Sequence, residues 1–184
     1  MRNQNTKKLV INALLLGIGA ILHQITPTLG LPMQADFALI MLFMVIILSG
    51  GEYKTCLIAG IVTAIFTALT TKFPAGQLPN CVDKIITVNV VYLIILLINK
   101  FKFISTLSEQ RKRFIQAIII LPIGTFISGT IFLGSASIMV GLPAPFLILF
   151  TTVVLPAVII NLVAGIMLFK IIEGALKKVK IKWN

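Results

Sequence analysis

Charge is scarce in this sequence: only 11% of its 184 residues are Asp, Glu, Lys or Arg, and five of them are acidic. An average soluble domain carries about a quarter, so the chain lacks the polar surface needed to coat a water-facing globule. Two cysteines and one histidine leave little with which to build a metal centre. There is no GxxxxGK[ST] phosphate loop, no HExxH and no CxxC pair, so no ATPase, protease or metal chemistry is legible and no enzyme or cofactor is expected. There is no internal repeat and no soluble domain, because the longest polar segment is only Asn99 to Arg113.

What fills the chain is hydrocarbon. Hydrophobic residues make up 58% of it, in long blocks rather than at a 3.6-residue period. A span needs about 20 mostly apolar residues to cross a hydrocarbon core of roughly 30 Å. Six segments meet this, 9–25, 36–49, 54–71, 83–99, 114–133 and 146–169, the second being the shortest. All are expected as helices, because lipid offers backbone groups no hydrogen-bond partners. The expectation is an all-α integral membrane protein, a six-transmembrane-helix bundle forming one membrane domain over 1–184. The lysines before LVINALLLGIGA also suit a secretory signal, but the apolar run continues to Leu22 with small residues a packing helix would use, which favours a retained helix.

The basic residues orient the bundle. Of the sixteen Lys and Arg residues, all but Lys72 and Lys84 fall on one side of these spans, including Arg2, Lys7 and Lys8, Lys100 to Arg113, and Lys170 to Lys182. By the positive-inside rule that side, with both termini, is cytoplasmic. Topology and the anionic headgroups of the lipid bilayer account for the formal charge of +11, and no nucleic acid is expected. Cys56 and Cys81 then fall on opposite faces and are expected to be free thiols.

On the outer side the chain reads TTKFPAGQLPNCVDKIIT from Thr70 to Thr87. Pro74, Gly76 and Pro79 are expected to shape a non-helical connection carrying Gln77, Asn80, Asp83 and Lys84. His23 ends the first span, Asp36 opens the second and Lys72 ends the third, all at the same height. Thr125, Ser128 and Ser135 approach it on the fifth span, while Asn161 lies deeper on the sixth. Taken singly, the hydroxyls Thr63, Thr67, Thr70 and Thr71 would bond back to their own helix. Together, two carboxylates, two ammonium groups, amides and hydroxyls at one end of an apolar bundle mark a functional site. That is the equipment a zwitterion needs, with phenylalanines and Tyr92 for an apolar side chain.

The stretch FPAGQ/PN/DK within Thr70–Thr87, with SGTIFLGSASIMVGLP (128–143), TTVVLPAVIIN (151–161) and ALLLGIGAILH (13–23), resembles the tryptophan transporter family of S components of energy-coupling factor (ECF) transporters. The likeness runs over nearly the whole chain. It implies a six-helix, multi-pass protein of a bacterial cell membrane. Such a subunit captures substrate from outside and hands it to a coupling membrane protein and two ATPase subunits. S components commonly dock through small residues four apart on the first helix, and here Ala13 and Gly17, with Ala20 nearby, have that character in altered form. Charge and depth then assign Asp83 or Asp36 to the ammonium of tryptophan or a similar small aromatic molecule. Lys84 or Lys72 and the loop amides take its carboxylate, and Phe73 and Phe132 the indole. Asn80, Gln77, Ser128 and Ser135 complete the polar shell, with His23 beside them. The alternative is a self-sufficient transporter coupled to protons or sodium, which would want an ionisable residue at mid-membrane, where only Asn161 stands.

Overall fold

The computed structural model describes residues 2–26 and 36–179. Its helices are α1 (Arg2–Ile25), α2 (Phe37–Leu48), α3 (Tyr53–Leu69), α4 (Gln77–Lys100), a one-turn α5 (Lys102–Ser105), α6 (Glu109–Met139), and a long last rod. The rod begins as α7 (Phe146–Leu149), passes through a π-helical turn at Phe150–Val154 and continues as α8 (Leu155–Val179). No strand occurs among the described residues. Lys180 and Lys182, assigned above to the basic flank, lie outside the described residues.

Four helical stretches are long and apolar enough to cross a membrane: Gln4–Ile25, Gln77–Lys100, Glu109–Met139 and Phe146–Lys178. The other two expected spans, α2 and α3, are shorter apolar helices, so four of the six expected spans have full length. At 1.5 Å per residue α2 is only about 18 Å long, well short of the hydrocarbon thickness. Its sequence, FALIMLFMVIIL, has no polar face at all, and every residue after Phe37 is buried. A helix apolar all round belongs in a core, and α2 occupies it, touching α1, α3, α4, α6 and α8.

The other boundaries shift for a related reason. Helix α4 starts at Gln77 rather than 83, so Pro79, Asn80 and Gln77 lie in its first turns and not on an irregular connection. Proline is tolerated there because the first amides of a helix have no partner within it. Helix α6 overruns 114–133 at both ends and runs unbroken through Pro122. Apolar content marks the part of a helix that suits lipid, while the hydrogen-bonded helix continues into its polar flanks.

Successive long helices alternate in direction. Close approach is bought by missing side chains at a few points: a Cβ added to Gly60 on α3 would lie 2.6 Å from Val88 Cγ1 on α4. The end of the bundle that holds α3's start and α4's finish is tied by Gln116 Nε2 donating to Asn99 Oδ1 (2.8 Å) and by an Arg113–Glu173 ion pair (3.3 Å). At the opposite end α1 finishes, α2 and α4 begin, and a cavity opens between them and α6.

Candidate ligand-binding site

The Thr70–Gly76 connection is built by its own side chains. Thr70 caps α3 and its hydroxyl bonds back to Phe66 O (2.7 Å), as do those of Thr63 to Ala59 O and Thr67 to Thr63 O. Thr71 departs from this stripe. Its hydroxyl accepts from Asn80 Nδ2 (3.0 Å) and from the Phe73 amide (3.3 Å), while Asn80 Nδ2 also donates to Gly76 O (2.9 Å). Ala75 takes a left-handed backbone, φ 54°, to close the turn. Asn80 thus staples the loop onto the first turn of α4 and sets Lys72, Phe73 and Pro74 over the cavity.

The cavity measures about 470 Å³, within the range of roughly 300–1,000 Å³ usual for small-molecule sites. One wall is apolar. Phe73 and Phe132 meet edge to face with ring centroids 5.3 Å apart, and Leu133, Pro143, Val154 and Ala157 continue the surface. Val153 joins Val154 in the lining at the π-helical turn, which sits just before Pro156, whose missing N–H removes a rung of the α-helical ladder.

The facing pole is polar and densely bonded. Lys84 Nζ donates to Asp83 Oδ2 (2.7 Å), Asp36 Oδ2 (2.9 Å) and Ser128 Oγ (3.3 Å). Asp83 also accepts from Ser128 Oγ (2.8 Å) and Thr87 Oγ1 (2.9 Å). Asp36 caps α2, its Oδ1 accepting the Leu39 amide (2.9 Å), and His23 Nδ1 lies 3.3 Å from the same oxygen. The Asp36 amide donates to Asn161 Oδ1 (3.0 Å), and Asn161 Nδ2 reaches Thr125 Oγ1 (3.4 Å). Helices α1, α2, α4, α6 and α8 therefore converge on one network. Burial separates its carboxylates, since Asp83 and Lys84 are 1% and 2% exposed whereas Asp36 keeps 23%.

Of the residues singled out from sequence, Asp83, Lys84, Asn80, Asp36, Lys72, Phe73, Ser128, Phe132 and His23 line this cavity. Gln77 does not; it is exposed on α4. Nor does Ser135, whose hydroxyl donates to Phe132 O (3.0 Å) on its own helix. Tyr92 packs against Tyr53 instead, the rings tilted by 58° with centroids 5.0 Å apart. Lys72 is exposed and its Nζ donates to Thr26 O (2.8 Å). Thr71, Thr125 and Asn161 also line the cavity, beyond the residues the sequence assigns to it. The signal for Asn161 in the sequence is a lone amide in an apolar run, deeper than the other polar residues. On α1, Ala13 is exposed, Ala20 is half-buried, and a Cβ on Gly17 would meet nothing within 4 Å, whereas Gly19 packs on Met41.

The family model described as tryptophan transporter TrpP matches residues 5–177. The chain is similar to a probable tryptophan transport protein of Clostridium perfringens, 54% identical over 96% of this chain and 97% of that one. It is also similar to proteins of the same description from Clostridium acetobutylicum, 45% identical over 95% and 96%, and Bacillus subtilis, 42% identical over 94% of each. No solved structure matches the chain significantly.

Proposed function

Because the chain belongs to the tryptophan transporter family TrpP, we propose that it is the substrate-capturing membrane subunit of an ATP-driven ECF importer and that tryptophan is its substrate. In this reading all six apolar helices form a membrane bundle of the S-component type. The observation that carries the reading is the cavity of about 470 Å³ in which a buried ionic network faces a phenylalanine pair. An aromatic amino acid has the same two halves.

The basic flanks lie at the other end of the bundle, so the positive-inside rule puts the cavity at the outer face and both termini in the cytoplasm of a bacterial cell. The sequence carries no phosphate-binding loop, so ATP hydrolysis falls to two partner subunits reached through a coupling membrane protein. The open strip of α1 at Ala13, Gly17 and Ala20 suits the close approach of another helix. Within the cavity, Asp36 or Asp83 would meet the ligand ammonium, Lys72 or Lys84 its carboxylate, and Phe73 and Phe132 the indole, with Asn80, Ser128 and His23 around them. Gln77 and Ser135 stand outside the lining and have no role in it.

Equilibrium binding of labelled tryptophan to the purified chain in detergent tests this. Saturable binding without ATP, partner subunits or an ion gradient, displaced by unlabelled tryptophan and not by riboflavin, is the expected result. Absence of binding in a folded sample removes the substrate assignment.

A further inference from the structure

Resting on the tryptophan-binding reading above, we infer that the ligand's ammonium, and not its carboxylate, docks at the buried polar pole, on the exposed edge of Asp36. The donors at that pole decide this. A lysine ammonium has three protons, and those of Lys84 are directed at Asp83, Asp36 and Ser128. None is left for an incoming carboxylate. Ser128 and Thr87 in turn direct their hydroxyl protons at Asp83, so the hydroxyls nearest the ions are engaged too.

The acceptors tell the complementary story. Asp83 takes three hydrogen bonds and is sealed, 1% exposed. Asp36 Oδ2 accepts only from Lys84 among the bonds described, and of the two carboxylates lining the cavity this is the more exposed, 23%. Two carboxylates face one lysine ammonium, with the His23 imidazole 3.3 Å from Asp36 Oδ1; with that imidazole neutral the group carries a surplus negative charge at a site shielded from water, where an added cation is favoured and an added anion is repelled. The other lysine of the lining, Lys72, sits on the loop between α3 and α4, its Nζ 2.8 Å from Thr26 O, and is the cation that the ligand carboxylate would meet.

The consequence is a lopsided selectivity. Tryptamine, which keeps the amine and lacks the carboxylate, should bind the full chain within about tenfold of tryptophan. Indole-3-propionate, which keeps the carboxylate and lacks the amine, should be about 10- to 100-fold weaker than tryptophan. The scale follows from a charge-assisted hydrogen bond of roughly 1.5–3 kcal/mol, or about 10- to 100-fold in affinity. Isothermal titration of the three compounds into the purified chain in detergent measures this directly. Tryptophan binding with indole-3-propionate equal to or tighter than tryptamine overturns the inference and leaves the transporter reading standing. A folded sample that binds none of the three overturns both. Asp36→Asn adds a second readout: tryptophan and tryptamine should weaken by at least about tenfold while indole-3-propionate does not. Equal loss of all three, or no loss, would remove Asp36 from the role, and if that variant does not fold the ligand series on the unaltered chain still decides.

Discussion

Lys84 sits where no membrane protein would keep a lysine without partners, 2% exposed between two carboxylates. Removing its charge leaves two buried anions facing each other, and truncating one partner of a buried ionic network costs about 3–5 kcal/mol. Lys84→Met is therefore expected to lose most of its folded yield, read as a monodisperse peak in detergent, whereas Thr130→Val, whose hydroxyl only bonds back to Phe126 O, should keep it. Asn80 works at lower stakes. Asn80→Ala deletes two bonds that hold the Thr70–Gly76 loop, a loss of about 1–3 kcal/mol. Faster amide hydrogen exchange at residues 71–76, with the rest of α4 unchanged, would show it. At this scale Asp83 and Lys84 were legible in the sequence because ionisable groups are costly in an apolar run. Asn161 was not, since an amide's position along a helix does not say which neighbours its face meets.

Helices show the same limit in another form. The twelve apolar residues of α2 read as a short span, yet the helix is wrapped by five others and is too short to cross on its own. A polar group placed in it has no escape to water, so Ile46→Asn, at a fully buried position, should lower the thermal midpoint more than Ile58→Asn on the exposed face of α3. Small residues divide similarly. Gly60→Val drives a side chain into Val88, and overpacking of this kind costs typically about 1–3 kcal/mol. Gly17→Val has open space and should leave the isolated chain's thermal midpoint unchanged while impairing assembly with a coupling protein. The sequence shows both glycines as members of similar small-residue stripes; only the neighbours tell them apart.

For the molecule as a whole, the uneven charge sets a testable orientation. With Cys56 and Cys81 replaced by Ala, a cysteine introduced at Lys72 should react with a membrane-impermeant maleimide in intact cells, and one at Lys102 only after permeabilisation. The reverse pattern would turn the cavity toward the cytoplasm and end the uptake reading. Composition by itself determined the solvent, the helical class and the end of the bundle at which polar residues collect, because hydropathy and charge are sums along the chain that need no knowledge of neighbours. The tertiary structure alone decided that α2 is a core helix, that Gln77 and Ser135 stand apart from the cavity, and that Asp36 is the more exposed of the two carboxylates lining it. These depend on contacts between distant residues, such as the Asp36 amide and Asn161, 125 positions apart. Burial of a side chain is a property of what surrounds it, which the order of residues along one helix does not contain.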